Sequence, residues 1–285
     1  MKNIIALIDG SGYAQSVCDH AGWITARGEA ELMLLHVLGR RDASVGDNSD
    51  LSGSIGLGAR TALLEELAEL DGQKARLVNK RGRAILDDAS ERAAKMGAVN
   101  VSTQLRHGQL VETVEKLEKD ADLIVIGKRG EASHLDMDHL GSNLERVVRS
   151  TKKPVLVAAR AFKPINKMLI AFDGGSSAIK AVEHIASSSL FRGLECLLIQ
   201  VGSTTSGNHK PLWGAVASLQ EAGFTAESRV IAGQPDKVIA ETVDAEGFDL
   251  LVMGAYGHSR IRNLIIGSTT TQMIGACKVP IMLYR

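Results

Sequence analysis

Short apolar runs alternate with amphipathic stretches along the whole chain. Apolar runs bounded by polar or glycine-containing segments are typical of buried strands, and apolar positions that recur every three or four residues are typical of helices. On this basis we predict ten strands, at residues 3–8, 31–38, 101–105, 123–126, 155–158, 168–172, 195–201, 227–231, 250–253 and 281–284. The predicted helices cover residues 12–26, 60–70, 84–96, 110–118, 143–149, 176–190, 211–222, 236–244 and 269–275, and residues 40–57 are predicted to form a long loop.

The composition of the strands indicates parallel sheets. Continuous apolar segments such as Leu123–Ile126 and Leu250–Met253 lack the alternation expected of a strand with one face in water. They are therefore predicted to be buried on both faces, as in sheets covered by helices on each side. Strands that alternate with helices through right-handed crossovers form a doubly wound α/β layer. We predict two such five-stranded α/β units.

The chain contains an internal repeat, which divides it into two domains of similar sequence. The segment IIALIDGSGYAQSV near the N-terminus is echoed by MLIAFDGGSSAIKAV, and DLIVIGKRG is echoed by DLLVMGAYG. The aligned pairs are Asp9 with Asp173, Gly127 with Gly254, Gly130 with Gly257, Gly141 with Gly267, and Ser142 with Ser268. Pro164 interrupts the pattern between the copies, so we predict domains at residues 1–160 and 165–285.

Charge and cysteine content narrow the class of protein. The formal net charge is zero, which does not favour a nucleic-acid partner because nucleic-acid binding normally requires a basic face. The three cysteines are far apart and suit neither a zinc site nor a disulfide framework, so we expect a cytoplasmic protein. The apolar run at the N-terminus is too short for a signal peptide or a membrane span, and no membrane partner is predicted. The loop carrying His134, Asp136, Asp138 and His139 is interpreted as a solvated polar loop, and no metal site is predicted.

The segment GAYGHSRIRNLIIGST, after the fourth strand of the second half, has the composition of an anion-binding loop. Gly254 and Gly257 directly follow a buried strand, where glycine permits close approach of a ligand to backbone amides. After nine more residues, Gly267 leads into a predicted helix whose unpaired amides and dipole favour a phosphate. Asp173 ends the first strand of this half, and the first and fourth strands meet at the crevice where doubly wound sheets bind ligands. A simple helix N-cap is the alternative reading of Asp173 and of Asp9.

The spacing of two glycines (GxxG), nine residues and Gly-Ser after strand four resembles the ATP-binding motif of universal stress proteins of the UspA family. The resemblance covers essentially the whole chain as two copies. It implies a strand order of 3-2-1-4-5 in each domain, an adenine nucleotide α-hydrolase-like fold, and two domains related by a pseudo-two-fold axis. It also implies ATP, ADP or AMP as the ligand, with or without Mg²⁺. The nucleotide contacts carried over fall on Asp173, the backbone of Val201, Gly254, Ala255, Gly257, Gly267, Ser268 and Thr269, and His258 lies beside the phosphate position.

The first half departs from this motif. Gly127 and Gly130 are followed by ten residues before Gly141 and Ser142, and that loop contains Glu131 and two aspartates. Lys128 and Arg129 partly offset the added negative charge. We therefore treat Asp9, Gly127, Lys128, Arg129, Gly130, Gly141 and Ser142 as a second, degenerate candidate site.

Three functions remain open from the sequence. The first is a stress-response protein that binds nucleotide with little or no hydrolysis, since the chain has no GxxxxGK[ST] loop and no arrangement suited to a catalytic triad. The second is a slow ATP hydrolase, and the third is a protein-interaction scaffold whose pocket is empty or holds another ligand. Dimers of the resembled family often pair their last strands, so we predict that the two halves pair intramolecularly through PVLVAA and PIMLY, with a further homodimer left open.

Overall fold

The computed structural model describes residues 1–39, 57–130, 141–202, 209–255 and 268–285, with backbone alone for 57–62 and 268–269. The described strands are β1 (Asn3–Leu7), β2 (Glu31–Leu38), β3 (Asn100–His107), β4 (Leu123–Gly127), β5 (Val155–Ala158), β6 (Lys167–Ala171), β7 (Glu195–Val201), β8 (Thr225–Ile231), β9 (Leu250–Gly254) and β10 (Ile281–Tyr284). The described helices are α1 (Ala14–Gly28), α2 (Leu57–Lys95), α3 (Leu110–Leu117), α4 (Ser142–Ser150), α5 (Ser176–Ser187), α6 (Lys210–Glu221), α7 (Pro235–Glu246) and α8 (Ser268–Ala276). Short 3₁₀ turns follow α3 at Glu118–Asp120 and α5 at Ser189–Phe191.

The described strands form one ten-stranded sheet in the order β3-β2-β1-β4-β5-β10-β9-β6-β7-β8. Each half has the order 3-2-1-4-5, as predicted, and all pairs within a half are parallel. The halves meet where β5 and β10 pair antiparallel, with Leu156 opposite Met282. This pairing confirms the prediction that the last strands join the two halves within one chain.

The hydrophobic core follows the faces of the sheet and not the two halves. One cluster of buried side chains covers one face and includes Ile4, Leu156, Met168 and Met282. The other cluster includes Ile5 and Leu283, and it also draws residues from both halves. Each apolar layer therefore runs across the β5–β10 junction. The division into domains 1–160 and 165–285 remains a prediction.

The helix α2 differs from the sequence-based prediction. Two separate helical segments, 60–70 and 84–96, are expected from apolar periodicity, but the structure has one helix from Leu57 to Lys95. Residues 71–81 are mostly polar and largely exposed, so they contain too few apolar positions to predict a helix, yet most of them are good helix formers. Burial resumes at Gly82, Leu86 and Ala89, where the helix packs on the body of the protein. Residues 40–56 of the predicted loop lie outside the described residues, and Leu57 belongs to the helix.

Side-chain contacts also link the two halves around the junction. Arg27 Nε donates a 2.6 Å hydrogen bond to the carbonyl of Leu190, and Arg285 Nη1 donates a 2.8 Å hydrogen bond to the carbonyl of Arg149. The ring of His20 packs edge-on against Phe162, in the segment that connects the halves, with 5.0 Å between the ring centroids. Among the helices that the structure describes, none is both long enough and apolar enough to cross a membrane.

Candidate functional site

A crevice opens in the first half at the C-terminal ends of β1 and β4. These strands are direct neighbours, so the residues that follow them meet at one edge of the sheet. The crevice encloses a cavity of about 80 Å³. Its lining contains Asp9, Ser11, Tyr13, Gly127, Arg129, Gly130, Gly141 and Asn143, with an apolar wall from Leu7, Ile8, Val17, Val37, Leu110, Ile126 and Leu144.

Asp9 lines this crevice, and a hydrogen bond from the backbone orients its carboxylate. Its Oδ1 accepts a 3.0 Å hydrogen bond from the Ser11 amide, and Ser11 Oγ accepts a 3.3 Å hydrogen bond from the Tyr13 amide. A Cβ atom at Gly130 would lie 3.0 Å from Asp9 Oδ2, so the glycine lets the loop after β4 approach the carboxylate. The structure thus brings together Asp9, Gly127, Arg129, Gly130 and Gly141, as the sequence predicts.

Lys128 is placed away from the crevice, in contrast to its sequence-based assignment as a cation that offsets the acidic loop. Its side chain is buried, and Nζ donates a hydrogen bond to the carbonyl of Cys277 in the other half. Burial lowers the pKa of Lys128 below its usual value. The amino group therefore forms a contact between the two halves and does not line the crevice. Ser142 begins α4, next to Gly141, whose amide donates to the carbonyl of Lys128 at 3.2 Å.

The second half repeats this geometry at the ends of β6 and β9. Asp173 Oδ1 accepts a 2.8 Å hydrogen bond from the Gly175 amide, as Asp9 does from Ser11. A Cβ atom at Gly254 would lie 3.1 Å from the Cβ of Ser177, so the start of α5 passes close to the end of β9. The strands β6 and β9 are neighbours, with Ala171 opposite Met253. Asp173 and Gly254 therefore share one edge of the sheet.

The start of α8 is anchored to the end of β9. Thr270, in the first turn of α8, donates a 3.2 Å hydrogen bond from Oγ1 to the carbonyl of Ala255. The Ala255 amide donates a 2.7 Å hydrogen bond to the carbonyl of Tyr284, so this amide belongs to the sheet. Val201 ends β7 opposite Ile231. Ser268 and Thr269 open α8.

Several predicted residues lie outside the part of the chain that the structure describes. They are Gly257, His258 and Gly267 of the second half, and Glu131, His134, Asp136, Asp138 and His139 of the first. Among the described residues, no group of three or more histidine, cysteine, aspartate or glutamate side chains could hold a metal ion.

Comparisons with known proteins identify the family. The sequence profile of the Universal stress protein family matches residues 1–159 and again residues 164–285. The chain belongs to the universal stress protein family. It is 37% identical over 290 residues to universal stress protein Slr1230 of Synechocystis, and the match covers 100% of both chains. Universal stress protein MJ0531 of Methanocaldococcus jannaschii is 31% identical over 57% of this chain and 84% of its own length. A crystal structure of a universal stress protein from Archaeoglobus fulgidus has a TM-score of 0.74 and 19% identity, covering 99% of this chain and 98% of that one.

The two halves of this tandem universal stress protein also differ at a position, next to the end of the fourth strand, that the sequence-based prediction did not include. Tyr13 lines the first crevice, and its Cβ would lie 2.7 Å from a Cβ at Gly127. The aligned residue of the second half is Ser177, which stands in the same relation to Gly254. The first half thus carries a phenol ring at the position where the second half carries a hydroxymethyl group. Aligning the two aspartate-led segments residue by residue could have revealed this difference.

Proposed function

We propose that this universal stress protein binds ATP or a related adenine nucleotide in the crevice of its C-terminal half and hydrolyses it slowly or not at all. The observation that carries the proposal is the hydrogen bond from Thr270 to the Ala255 carbonyl. This bond holds the N-terminus of α8 against the end of β9, on the sheet edge that also carries Asp173. Free amides and the positive end of the helix dipole at such a position favour a phosphate group.

The residues that would hold the nucleotide take separate roles. Asp173 is oriented by the Gly175 amide and would repel phosphates, so we assign it to the ribose or to a bound Mg²⁺. Gly254, Gly257, Gly267, Ser268 and Thr269 would surround the phosphates. The backbone of Val201, at the end of β7, would contact the base. Ala255 would contribute backbone contact but not its amide, which already bonds to Tyr284.

The first crevice supports a different role. Its cavity of about 80 Å³ is much smaller than the pockets that hold drug-sized ligands, which usually enclose roughly 300–1,000 Å³. Tyr13 contributes its ring to the wall, and Lys128 is committed to Cys277. We propose that this half holds no nucleotide and acts as a scaffold for the joined sheet. One nucleotide per chain is therefore expected.

Titration calorimetry and thermal unfolding with ATP, ADP and AMP, with and without Mg²⁺, test the proposal. At about 100 times its Kd, one bound nucleotide should stabilise the fold by about 2.7 kcal/mol. This corresponds to a rise in Tm of several degrees, at roughly 2–4 °C per kcal/mol for a chain of this size class. Gly257→Asp should abolish the rise by placing a carboxylate at the phosphate position. Gly130→Asp, at the aligned position of the first half, is the matched control and should leave the ATP-induced rise intact.

A second pair of variants uses the difference between the two crevices. Ser177→Tyr should weaken nucleotide binding because it introduces a bulky ring into the second half at the position where Tyr13 lines the first crevice. Tyr13→Ser is the reverse change in the first half. It should not create a second binding site, so the stoichiometry should stay at one nucleotide per chain. Absence of any shift with all three nucleotides would refute nucleotide binding and favour the scaffold role for both halves. ATP consumption at ordinary enzyme rates would contradict the assignment as a non-catalytic binding protein.

A further inference from the structure

The N-terminal part of α2 exposes a row of large apolar side chains. Leu64, Leu67, Leu70 and Leu77 are 52%, 43%, 56% and 67% exposed, respectively. The same helix buries Leu86, Ala89 and Ala93 against the body of the protein farther along. The first half of α2 thus extends beyond the packed part of the fold with leucines in water. Contiguous exposed apolar surface of this kind marks interaction sites in soluble proteins.

Most of these leucines follow the spacing of a coiled coil. Leu63, Leu67, Leu70, Lys74 and Leu77 are separated by four, three, four and three residues, which is the a/d repeat of a heptad. Leu67, Leu70 and Leu77 are exposed, whereas Leu63 and Lys74 are half-buried. We call these five residues the leucine seam. A single lysine at an a position is a device that fixes register and oligomeric state in coiled coils.

The leucine seam lies to one side of the face that packs on the body. Gly82, Leu86, Ala89 and Ala93 share the buried face of α2. With 3.6 residues per turn, the leucine seam lies roughly 100° around the helix axis from that face. A second helix can therefore lie along the seam without displacing the contacts that hold α2 to the body.

The charges beside the leucine seam change sign along the helix. The end nearer the N-terminus is acidic, and the following turns are basic. The acidic residues are Glu65, Glu66, Glu69 and Asp71, and the basic ones are Arg76, Lys80 and Arg83, with Lys74 within the seam itself. An antiparallel copy of the same segment places each acidic stretch beside a basic one. A parallel copy would place the acidic stretches together, which costs energy.

We propose that the leucine seam is a homodimer interface, in which a second copy of this chain packs antiparallel about a two-fold axis near residue 72. This arrangement stacks Leu67 against Leu77 of the partner subunit twice, once on each side of the axis. Lys74 lies beside Leu70 of the partner subunit, where its alkyl stem can cover apolar surface while the amine stays in water. Glu66 faces the partner's Lys80 on the flank of the seam. The interface is isologous, so it closes after two subunits and does not propagate.

Sedimentation velocity of the full chain over a micromolar concentration series tests the interface. The wild-type protein is expected to shift from the 30.4 kDa monomer toward twice that mass as concentration rises. Leu70→Gln should weaken self-association about tenfold or more, because each dimer loses two buried leucines. Ile179→Gln is the matched control, since Ile179 is also an exposed apolar residue on a helix, at 42% exposure, but lies in the other half. Circular dichroism verifies that both variants keep their helix content.

Charge reversal tests the antiparallel orientation. Glu66→Lys alone and Lys80→Glu alone should each weaken self-association, because each places like charges opposite one another. An equimolar mixture of the two variants should associate again, since every Lys then faces a Glu across the two-fold axis. The double variant Glu66→Lys/Lys80→Glu should also associate.

Three results would overturn the proposal. The first is a wild-type protein that stays monomeric throughout the series, which would mean that another part of this chain or a different partner covers the seam. The second is a dimer that Leu70→Gln leaves unchanged, which would place the interface elsewhere. The third is a mixture of the two charge variants that associates no better than either alone, which would exclude the antiparallel arrangement.

Discussion

The junction between β5 and β10 should make the two halves unfold as one unit, and two residues test this directly. Leu156 and Met282 lie opposite each other across the antiparallel pair, and each is 1% exposed. Both belong to the same apolar layer, which extends from Ile4 in the first half to Tyr284 in the second. Side chains directly opposite in an antiparallel pair have Cβ atoms roughly 4.5–5.5 Å apart. The two side chains are therefore in contact across the boundary between the halves.

Truncating either side chain should cost a large part of the stability. Leu→Ala and Met→Ala changes in well-packed cores cost about 2–5 kcal/mol each, from lost burial and the cavity left behind. We expect Leu156→Ala and Met282→Ala to fall in this range, because both side chains are almost fully enclosed. The double variant should depart from the sum of the single costs by roughly 0.5–3 kcal/mol, because the residues share one contact and one cavity.

Urea unfolding, followed by circular dichroism and by tryptophan fluorescence, measures these costs. Both probes should report one coincident transition in every variant, since each half contributes to both apolar layers. The control is the pair Leu34→Ala and Leu198→Ala, two buried residues on β2 and β7 that are separated by six intervening strands. Their costs should add. Two results would refute the inference that the junction couples the halves. One is additive costs for Leu156→Ala and Met282→Ala, and the other is two separate unfolding transitions of which a variant shifts one alone.

Two further predictions concern the first half. Burial lowers the pKa of His20, and its Nε2 has no hydrogen-bond partner among the residues that the structure describes, so the folded state favours the neutral ring. The unfolded chain then binds more protons below pH 6.5, and stability should fall as pH drops from 6.5 through the lowered pKa. His20→Phe should reduce this loss in urea titrations across that window, and an unchanged pH slope would contradict the assignment. Arg92 forms two 2.7 Å hydrogen bonds to the carboxylate of Asp19, which joins α1 to α2. Asp19→Ala should lower the free energy of unfolding, measured in urea, by about 1–3 kcal/mol, and the partial exposure of Arg92 limits this cost. A cost near zero would show that the ion pair contributes no more than an ordinary surface contact.

The sequence predicts the sheet well because its strands carry a strong local signal. The bounds of β2, β5, β7 and β10 match the predicted ranges, since each strand is a compact run of apolar residues between polar or turn-forming segments. The strand order within each half follows from the resemblance to universal stress proteins, and the internal repeat explains why both halves share it. The part of α2 that crosses residues 71–81 is missed because a largely exposed helix segment has too few apolar residues to show a clear periodicity.

The chemistry of the first crevice shows what a motif comparison misses. In the aligned motifs, Lys128 corresponds to Ala255. From the sequence alone, the lysine is interpreted as a cation beside a phosphate-binding loop. The structure turns it instead toward Cys277, which is 149 residues away in the chain and becomes a neighbour when the halves join. The aligned Ala255 uses its backbone amide to bind the last strand of its own half. Side-chain direction at this position thus depends on the β5–β10 junction, a contact that neither copy of the repeat encodes alone. Of the two basic residues that follow β4, Arg129 is the one that lines the crevice. The contacts between the two halves must therefore be known before a basic residue of the motif can be assigned to ligand binding.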